Sequence, residues 1–179
     1  MKRFIDRAHK LPPKSDLPSL LRSLLGGTLA ILILELLTLH SGSLFMMAPF
    51  GATCVLLFAA SKSPLAQPRN VIFGHLVSAF VGLVFLKVFG VSLFGTAISV
   101  GVAICAMQIL RCVHPPAGAN PLVILLTADQ IYYSWDFLLF PVLSGAITLT
   151  IVAWLVNNVK SLSAWPEYWL GFIDSKKEE

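Results

Sequence analysis

Residues 113–128 read VHPPAGANPLVILLTA, and this stretch decides the fold. After its prolines it is apolar, yet it is shorter than the roughly 20 residues that a straight helix needs to cross a bilayer. Prolines and a glycine near its start favour a helix that begins inside the membrane. The stretch 49–54, PFGATC, carries the same Pro-x-Gly-Ala pattern 67 positions earlier. The two stretches therefore indicate an internal repeat.

The composition of the chain is that of a membrane protein. Of its 179 residues, 56% are hydrophobic and only 12% are charged, and the mean hydropathy is +0.81. A soluble domain carries roughly 25% charged residues. Six apolar segments follow one another, of which the second and fifth are short or broken: 20–39, 44–60, 71–89, 92–110, 115–128 and 137–156. The sequence predicts an all-α integral membrane protein and excludes a soluble domain.

The order of long and short segments predicts two repeats of three segments, the first over about residues 20–90 and the second over 92–157. Because three crossings per repeat is an odd number, the two halves would run in opposite directions through the bilayer. Such inverted repeats are typical of secondary transporters, whose site lies between the halves. We therefore predict a single membrane domain over 20–157. Whether the segment 115–128 crosses the bilayer or re-enters it stays open.

Basic residues set the expected orientation. The net charge of +4 owes much to a basic tail, residues 1–19, which is typical of a cytoplasmic anchor on anionic lipid rather than of nucleic-acid binding. If all six segments cross, only Lys87 of the thirteen Lys and Arg residues faces outward. Both termini are therefore predicted to be cytoplasmic. Because no transit peptide is recognisable, the expected location is a bacterial or cyanobacterial inner membrane. In the tail 158–179, the rings of Trp165, Tyr168 and Trp169 are expected at headgroup depth.

The two broken helices also predict a binding site. A helix start inside the membrane carries free backbone N–H groups and a partial positive charge of roughly +0.5, and it favours an anion. We expect the substrate to be bound by both motifs and the flanking histidine: Pro49, Gly51, Ala52, Thr53, His114, Pro115, Pro116, Gly118, Ala119 and Asn120. The alternative is that Pro-x-Gly-Ala only allows close packing between helices.

Four further residues are accessory candidates: His75, Gln108, Arg111 and Glu35. His75 is either a hydrogen-bonded structural residue or a titrating one. Arg111 either draws anions toward the site or anchors the inner interface. Glu35 is a carboxylate within a span, at the depth of Lys87 on the third segment. It is either a coupling group or the partner of Lys87, and we predict the ion pair.

No enzyme, cofactor or metal site is expected. Cys54, Cys105 and Cys112 lie in apolar surroundings without a CxxC or Cys/His ligand pattern, and they read as small buried hydrophobes. The chain has no GxSxG, no HExxH, no carboxylate pair and no phosphate loop in a strand–helix context. The sequence therefore predicts a protein without catalytic residues.

Three blocks of the chain resemble the HPP family of integral membrane proteins. They are MAPFGATCVLLFAAS at 47–61, PLAQPRNVIFGH at 64–75 and VHPPAGANP at 113–121, and the resemblance covers about residues 20–156. Plant plastid-envelope and cyanobacterial members of this family are implicated in nitrite transport. The resemblance thus implies nitrite as the substrate, which agrees with an anion site at helix starts. A transporter or channel for a neutral small solute and a non-transport membrane scaffold are the alternatives. Assembly into a homo-oligomer, the direction of flux, and the choice between channel and coupled carrier stay open.

Overall fold

The computed structural model describes residues 14–43, 45–159 and 164–169, and the regular structure in these ranges is entirely helical. The six α-helices are α1 (Leu17–Ser41), α2 (Ala48–Ala59), α3 (Pro68–Phe89), α4 (Leu93–Ile109), α5 (Asn120–Leu126) and α6 (Ser144–Asn158).

Length and composition separate these helices into two kinds. Three helical stretches are long and apolar enough to cross a membrane, namely Leu17–Ser41, Pro68–Phe89 and Trp135–Asn158, and the other apolar helices are shorter. The predicted all-helical class is confirmed, whereas the inverted relation of the two repeats stays a prediction. Most of the two predicted tails, up to position 13 and from position 170, lies outside the described residues, as does Lys160.

Helix α1 presents a leucine-rich face outward and packs through small residues. Asp16 caps its start, the carboxylate accepting a backbone N–H three residues on at 3.2 Å. Only Gly26, Ala30 and Leu34, spaced four apart, are buried. Because lipid is as apolar as leucine, helices in a bilayer associate through close packing at such small residues. A Cβ at Gly26 would overlap the ring of Phe58, and this close contact fixes α1 on α2.

The second and fifth segments are short. Helix α2 has 12 residues with Pro49 in its first turn. The fifth segment starts as the 3-10 helix Pro115–Ala119 and becomes α-helical only at Asn120. Helix α4 is also shorter than the predicted segment, with 17 residues, because Arg111 adopts a left-handed φ of 54° just beyond its end.

The sixth segment is interrupted near its start rather than continuous over the predicted 137–156. A π-helical turn, Leu139–Leu143, precedes α6. Phe140 within it has φ −129° and ψ 111°, which lie outside the helical region. The ring of Pro141 causes this departure, since proline disfavours the helical conformation at the residue before it.

Basic side chains gather at one end of the bundle. Arg22 and Lys62 line a common pocket at the start of α1, and Nε of Arg69 donates to the carbonyl of Arg111 at 3.1 Å. Lys87 lies at the opposite end, in the last turn of α3. This distribution is the charge asymmetry from which the orientation is predicted. Which side of the membrane each end faces stays a prediction.

The described part of the C-terminal tail, residues 164–169, packs on the loop before α3, and we call it the C-terminal strap. Nε1 of Trp165 donates to the carbonyl of Ser61 at 3.1 Å, and the strap backbone donates to the side-chain carbonyl of Gln67 at 2.9 Å. Trp165 is buried against protein, whereas Trp169 is half exposed, and the depth of their rings in the bilayer stays a prediction.

Candidate functional site

The two Pro-x-Gly-Ala motifs meet in the structure. The starts of α2 and of the 3-10 helix Pro115–Ala119 line one open groove of about 480 Å³, which we call the motif cavity. Its lining residues are Ala48, Pro49, Ala52, Leu56, Pro115, Pro116 and Ala119. A second cavity of about 360 Å³ shares Ala48 and Ala119 with it and extends along α5. The repeated motifs thus form the walls of one shared space.

The wall of the motif cavity is apolar. Its alanine, proline and leucine side chains carry no hydrogen-bond donor, and its three prolines also lack a backbone N–H. Ala48 and Pro49, in the first turn of α2, are among the lining residues, so the positive end of that helix dipole lies at the cavity wall. The structure therefore corrects one expectation, because fewer backbone donors face the cavity than two ordinary helix starts would offer.

Behind this wall lies a buried polar cluster of Thr53, His75, His114 and Asn120, which we call the Thr53 cluster. Each of the four residues is at most 2% exposed. The Thr53 hydroxyl lies 2.8 Å from Nε2 of His75 and 2.9 Å from Nε2 of His114. The two imidazole centroids are 5.0 Å apart. Thr53 follows the lining residue Ala52, and His114 precedes the lining residue Pro115. The cluster and the cavity are therefore formed by the same two segments of the chain.

Hydrogen bonds define the tautomers of the two neutral imidazoles. Nδ1 of His114 lies 2.8 Å from the carbonyl oxygen of Leu65, so it carries the proton and leaves Nε2 as an acceptor. The amide nitrogen of Asn120 donates to Nδ1 of His75 at 3.2 Å and to its carbonyl at 3.0 Å, so the proton of His75 is on Nε2. Thr53 accepts from His75 and donates to His114. Every imidazole nitrogen is thereby satisfied, as a membrane interior requires.

Helix α3 holds the broken fifth segment through side chains that the sequence analysis does not single out. Nδ2 of Asn70 donates to the carbonyl of Val113 at 2.8 Å, and the Ser78 hydroxyl donates to the carbonyl of Ala117 at 2.6 Å. Val113 lies in the stretch without helix before this segment, where hydrocarbon would offer its carbonyl no partner, whereas the Ala117 carbonyl also accepts the backbone N–H of Asn120. These two bonds therefore allow a non-helical stretch to lie inside the bundle.

Glycines of α3 bring the fifth segment close. A Cβ at Gly74 would lie 2.6 Å from the Cβ of His114, and one at Gly82 would lie 2.9 Å from the Cα of Pro121. These positions and the two polar ones recur at intervals of four, which places them on one helix face: Asn70, Gly74, Ser78 and Gly82. This stripe of small and polar residues is the sequence signal for the contact.

The structure divides the ten predicted binding residues into three groups. Five line the motif cavity: Pro49, Ala52, Pro115, Pro116 and Ala119. Three belong to the Thr53 cluster together with the accessory residue His75: Thr53, His114 and Asn120. The two motif glycines, Gly51 and Gly118, are in neither group: they are not among the lining residues, and a Cβ at either would meet nothing within 4 Å. Their part in substrate binding stays a prediction.

Three accessory candidates lie apart from the cavity and the cluster. Gln108 and Arg111 are exposed at the end of α4. Glu35 lies on α1, which packs against α2 and α6. The structure thus brings only His75 of the accessory residues to the site. In the described ranges, no three His, Cys, Asp or Glu side chains come together as metal ligands.

Lys87 has a different partner from the one predicted. Its Nζ donates to the carbonyl of Tyr133 at 2.9 Å and lies 5.6 Å from the ring centroid of Trp135. A carbonyl and an aromatic face stabilise an ammonium group without a carboxylate. The predicted ion pair with Glu35 is wrong, because equal depth on two helices does not make their side chains neighbours.

Known proteins share the sequence of this chain over most of its length. The family described as "HPP, transmembrane region" matches residues 12–166. A transmembrane protein of Dictyostelium discoideum is 36% identical over an alignment of 173 residues that covers 90% of this chain and 54% of the relative. A second transmembrane protein of that organism is 35% identical over an alignment of 172 residues that covers 89% of this chain and 59% of the relative. The chain therefore spans little more than half the length of these curated relatives. No solved structure matches the chain.

Proposed function

This chain belongs to the HPP transmembrane family, and we propose that it is a transporter, not an enzyme, that carries a small inorganic anion across the membrane. The observation that carries the proposal is the motif cavity, where two broken helices begin against a shared space with a buried polar cluster behind its wall. Nitrite is the anion that we propose, on the resemblance of the three sequence blocks to nitrite-transporting members of the family.

The charges around the cavity support an anion over a cation. An anion among apolar helices needs compensating positive charge, because leaving water without it is costly. The first turn of α2 supplies the positive end of a helix dipole at the cavity wall. Arg69 and Arg111 lie together beyond the last turn of α4, at the basic end of the bundle. Their charges raise the local concentration of anions at that end.

The proposal is tested by uptake into proteoliposomes that contain the purified chain. Nitrite, nitrate, formate and urea are compared at equal concentrations, with protein-free liposomes as the blank. We expect uptake of nitrite above the blank and above urea, because urea carries no charge for the helix dipole to stabilise. Uptake of none of the four solutes would favour a scaffold and overturn the proposal.

The cavity itself is tested by filling it. Ala52→Phe places a large side chain in the motif cavity, and Ala119→Phe fills it from the opposite segment. We expect each to lower nitrite uptake about tenfold, equivalent to a barrier raised by about 1.4 kcal/mol. Val55→Phe is the matched control, since Val55 is 63% exposed on the same helix and does not line the cavity. If a folded variant that carries both Ala52→Phe and Ala119→Phe takes up nitrite normally, the two motifs serve only to pack helices together.

One observation favours a neutral solute as the second candidate. Oδ1 of Asn120 is buried without a hydrogen-bond partner, and the cavity wall carries no charged side chain. A free acceptor in apolar surroundings suits an N–H donor on a neutral molecule. Urea uptake that exceeds nitrite uptake, and that falls in Asn120→Ala, would support this candidate instead.

A further inference from the structure

We propose that the Thr53 cluster takes up one proton with each anion that enters the motif cavity, so that the anion crosses as part of a neutral pair. This inference rests on the proposed function and names its coupling ion. The two buried imidazoles and the single hydroxyl between them carry it.

The Thr53 hydroxyl has one hydrogen and three neighbours. It lies 3.0 Å from the carbonyl oxygen of Pro49, 2.8 Å from Nε2 of His75 and 2.9 Å from Nε2 of His114. With both imidazoles neutral, the hydroxyl accepts from His75 and donates to His114. The Pro49 carbonyl is then left with no hydrogen from this hydroxyl.

The same geometry accommodates one more proton without a rearrangement of the backbone. A proton from water forms an N–H bond at Nε2 of His114, and the hydroxyl hydrogen turns from that nitrogen to the Pro49 carbonyl. Thr53 then accepts from both imidazoles and donates to Pro49, so all partners remain satisfied. On release of the anion the N–H bond breaks and the proton returns to water. Thr53 is therefore a two-state connector between a neutral and a singly charged cluster.

The outer ends of the cluster favour storage of a proton over conduction through it. At one end the Leu65 carbonyl accepts from Nδ1 of His114, and at the other the Asn120 amide donates to Nδ1 of His75. Neither group exchanges a proton at ordinary pH. A proton that binds the cluster is therefore held there until the same imidazole returns it.

Burial couples the proton to the anion. An unpaired charge is costly among apolar helices, whether it is an imidazolium or an anion, and opposite charges close together offset part of that cost. The titratable neighbour of each imidazole is the other imidazole, while the edge of Phe50 packs on His75 and Asn120 bonds it. Among the described residues, no carboxylate contacts either ring to stabilise its charge in advance. The positive cluster thus depends on the anion for its counter-charge.

The other charged and titratable groups nearby belong to the surrounding elements. Cys54 follows Thr53 on α2, and Cys112 precedes His114 by two residues; both thiols are buried. The guanidinium of Arg69, on the first turn of α3, is bonded to the carbonyls of Leu110 and Arg111. None of these groups supplies a negative charge at neutral pH. The anion is therefore still needed as the counter-charge of the protonated cluster.

The test is the pH dependence of nitrite binding to the full chain in detergent, measured between pH 6 and 8, roughly one unit either side of neutrality, where histidine chemistry operates. If one proton binds with each anion, the dissociation constant rises about tenfold for each unit increase in pH. Thr53→Val removes the connector and should abolish that slope, whereas Thr53→Ser retains the hydroxyl and should restore it. Thr148→Val is the matched control, since the Thr148 hydroxyl bonds only a carbonyl of its own helix, that of Ser144.

Each outcome of this test bears on one of the two proposals. Nitrite binding that is independent of pH would overturn proton coupling and leave anion transport standing. An unchanged slope in Thr53→Val would also overturn it, because the proton would then travel on the ligand and not on the cluster. Failure of the wild-type chain to bind nitrite at any pH would overturn the proposed function and this inference with it.

Discussion

At Gly74, helix α3 closely approaches the stretch that leads into the broken fifth segment. An added Cβ there would meet both the Cβ of His114 at 2.6 Å and the carbonyl oxygen of Cys112 at 2.9 Å. The motif glycines Gly51 and Gly118 face open space instead. The close backbone approach that the motif predicts therefore exists, but the glycine of the facing helix provides it.

Gly74→Ala should destabilise the folded protein. The new methyl group overlaps a buried histidine and a backbone carbonyl, neither of which can move without disturbing the Thr53 cluster, and overpacking of this kind costs about 1–3 kcal/mol. Thermal unfolding in detergent measures the loss. Gly101→Ala is the control, since its Cβ would meet nothing within 4 Å. Equal unfolding temperatures for the two variants would contradict the contact.

The Thr53 cluster shows that a sequence can identify important polar residues without showing which of them are in contact. Three of its members stand out in the sequence through the repeat and the His-Pro-Pro motif. Their partnership does not, because His75 and His114 lie 22 and 61 positions from Thr53 and meet it only through helix packing. The type of a polar residue in a membrane span thus indicates importance, while its partner depends on the three-dimensional arrangement.

At the scale of elements, the C-terminal strap connects the tail to the site. Gln67 is fully buried, and its amide nitrogen donates to the carbonyls of Ser61 and Ser63 while its oxygen accepts from the strap backbone. The same loop supplies the Leu65 carbonyl that fixes the tautomer of His114. The strap therefore stabilises a loop on which the geometry of the cluster depends.

Trp165→Ala should destabilise the protein far more than Trp169→Ala. Trp165 is 5% exposed and Trp169 is 53% exposed, although both belong to the strap. Removing a buried tryptophan costs about 3–5 kcal/mol, because contacts are lost and a cavity remains. The exposed residue should change stability by about 0.5 kcal/mol or less. Unfolding temperatures measured in one detergent compare the two, and similar shifts would argue against docking of the strap.

The lengths of apolar runs predict which elements are helices and which are short, because crossing a bilayer imposes a minimum length. The apolar runs do not reveal where a helix is interrupted. Pro141 breaks the sixth segment at Phe140, and the left-handed conformation of Arg111 follows the early end of α4. Pro141 is visible in the sequence as a signal for such a break, whereas nothing in the apolar run marks the conformation of Arg111.

At the scale of the whole molecule, charge is distributed unevenly along the bundle. Lys14, Arg22, Lys62 and Arg69 lie at or near one end, whereas Lys87 lies at the other, beside Tyr133. Lys and Arg are retained on the cytoplasmic side of membranes during insertion. The basic end, with the loop before α3 and the C-terminal strap, is therefore predicted to be cytoplasmic.

That orientation is tested by labelling single cysteines with a membrane-impermeant maleimide, in a background from which Cys54, Cys105 and Cys112 have been removed. Gln130→Cys, in the loop at the Lys87 end, should react in intact cells. Ser15→Cys and Ser161→Cys should react only after the membrane is permeabilised; Ser161 lies outside the described residues. Six crossings place both termini on one side, whereas five crossings with a re-entrant fifth segment place them on opposite sides.

The decisive comparison is between the two terminal cysteines, with Gln130→Cys as the control for reagent access. External labelling of Ser161→Cys but not of Ser15→Cys would mean an odd number of crossings, and the two repeats could not then be inverted copies of one another. If Ser15→Cys and Ser161→Cys are both protected from external labelling while Gln130→Cys reacts, the short fifth segment must complete a crossing together with the residues that follow it. Only that result leaves the motif cavity between two oppositely directed halves, where an alternating-access site belongs.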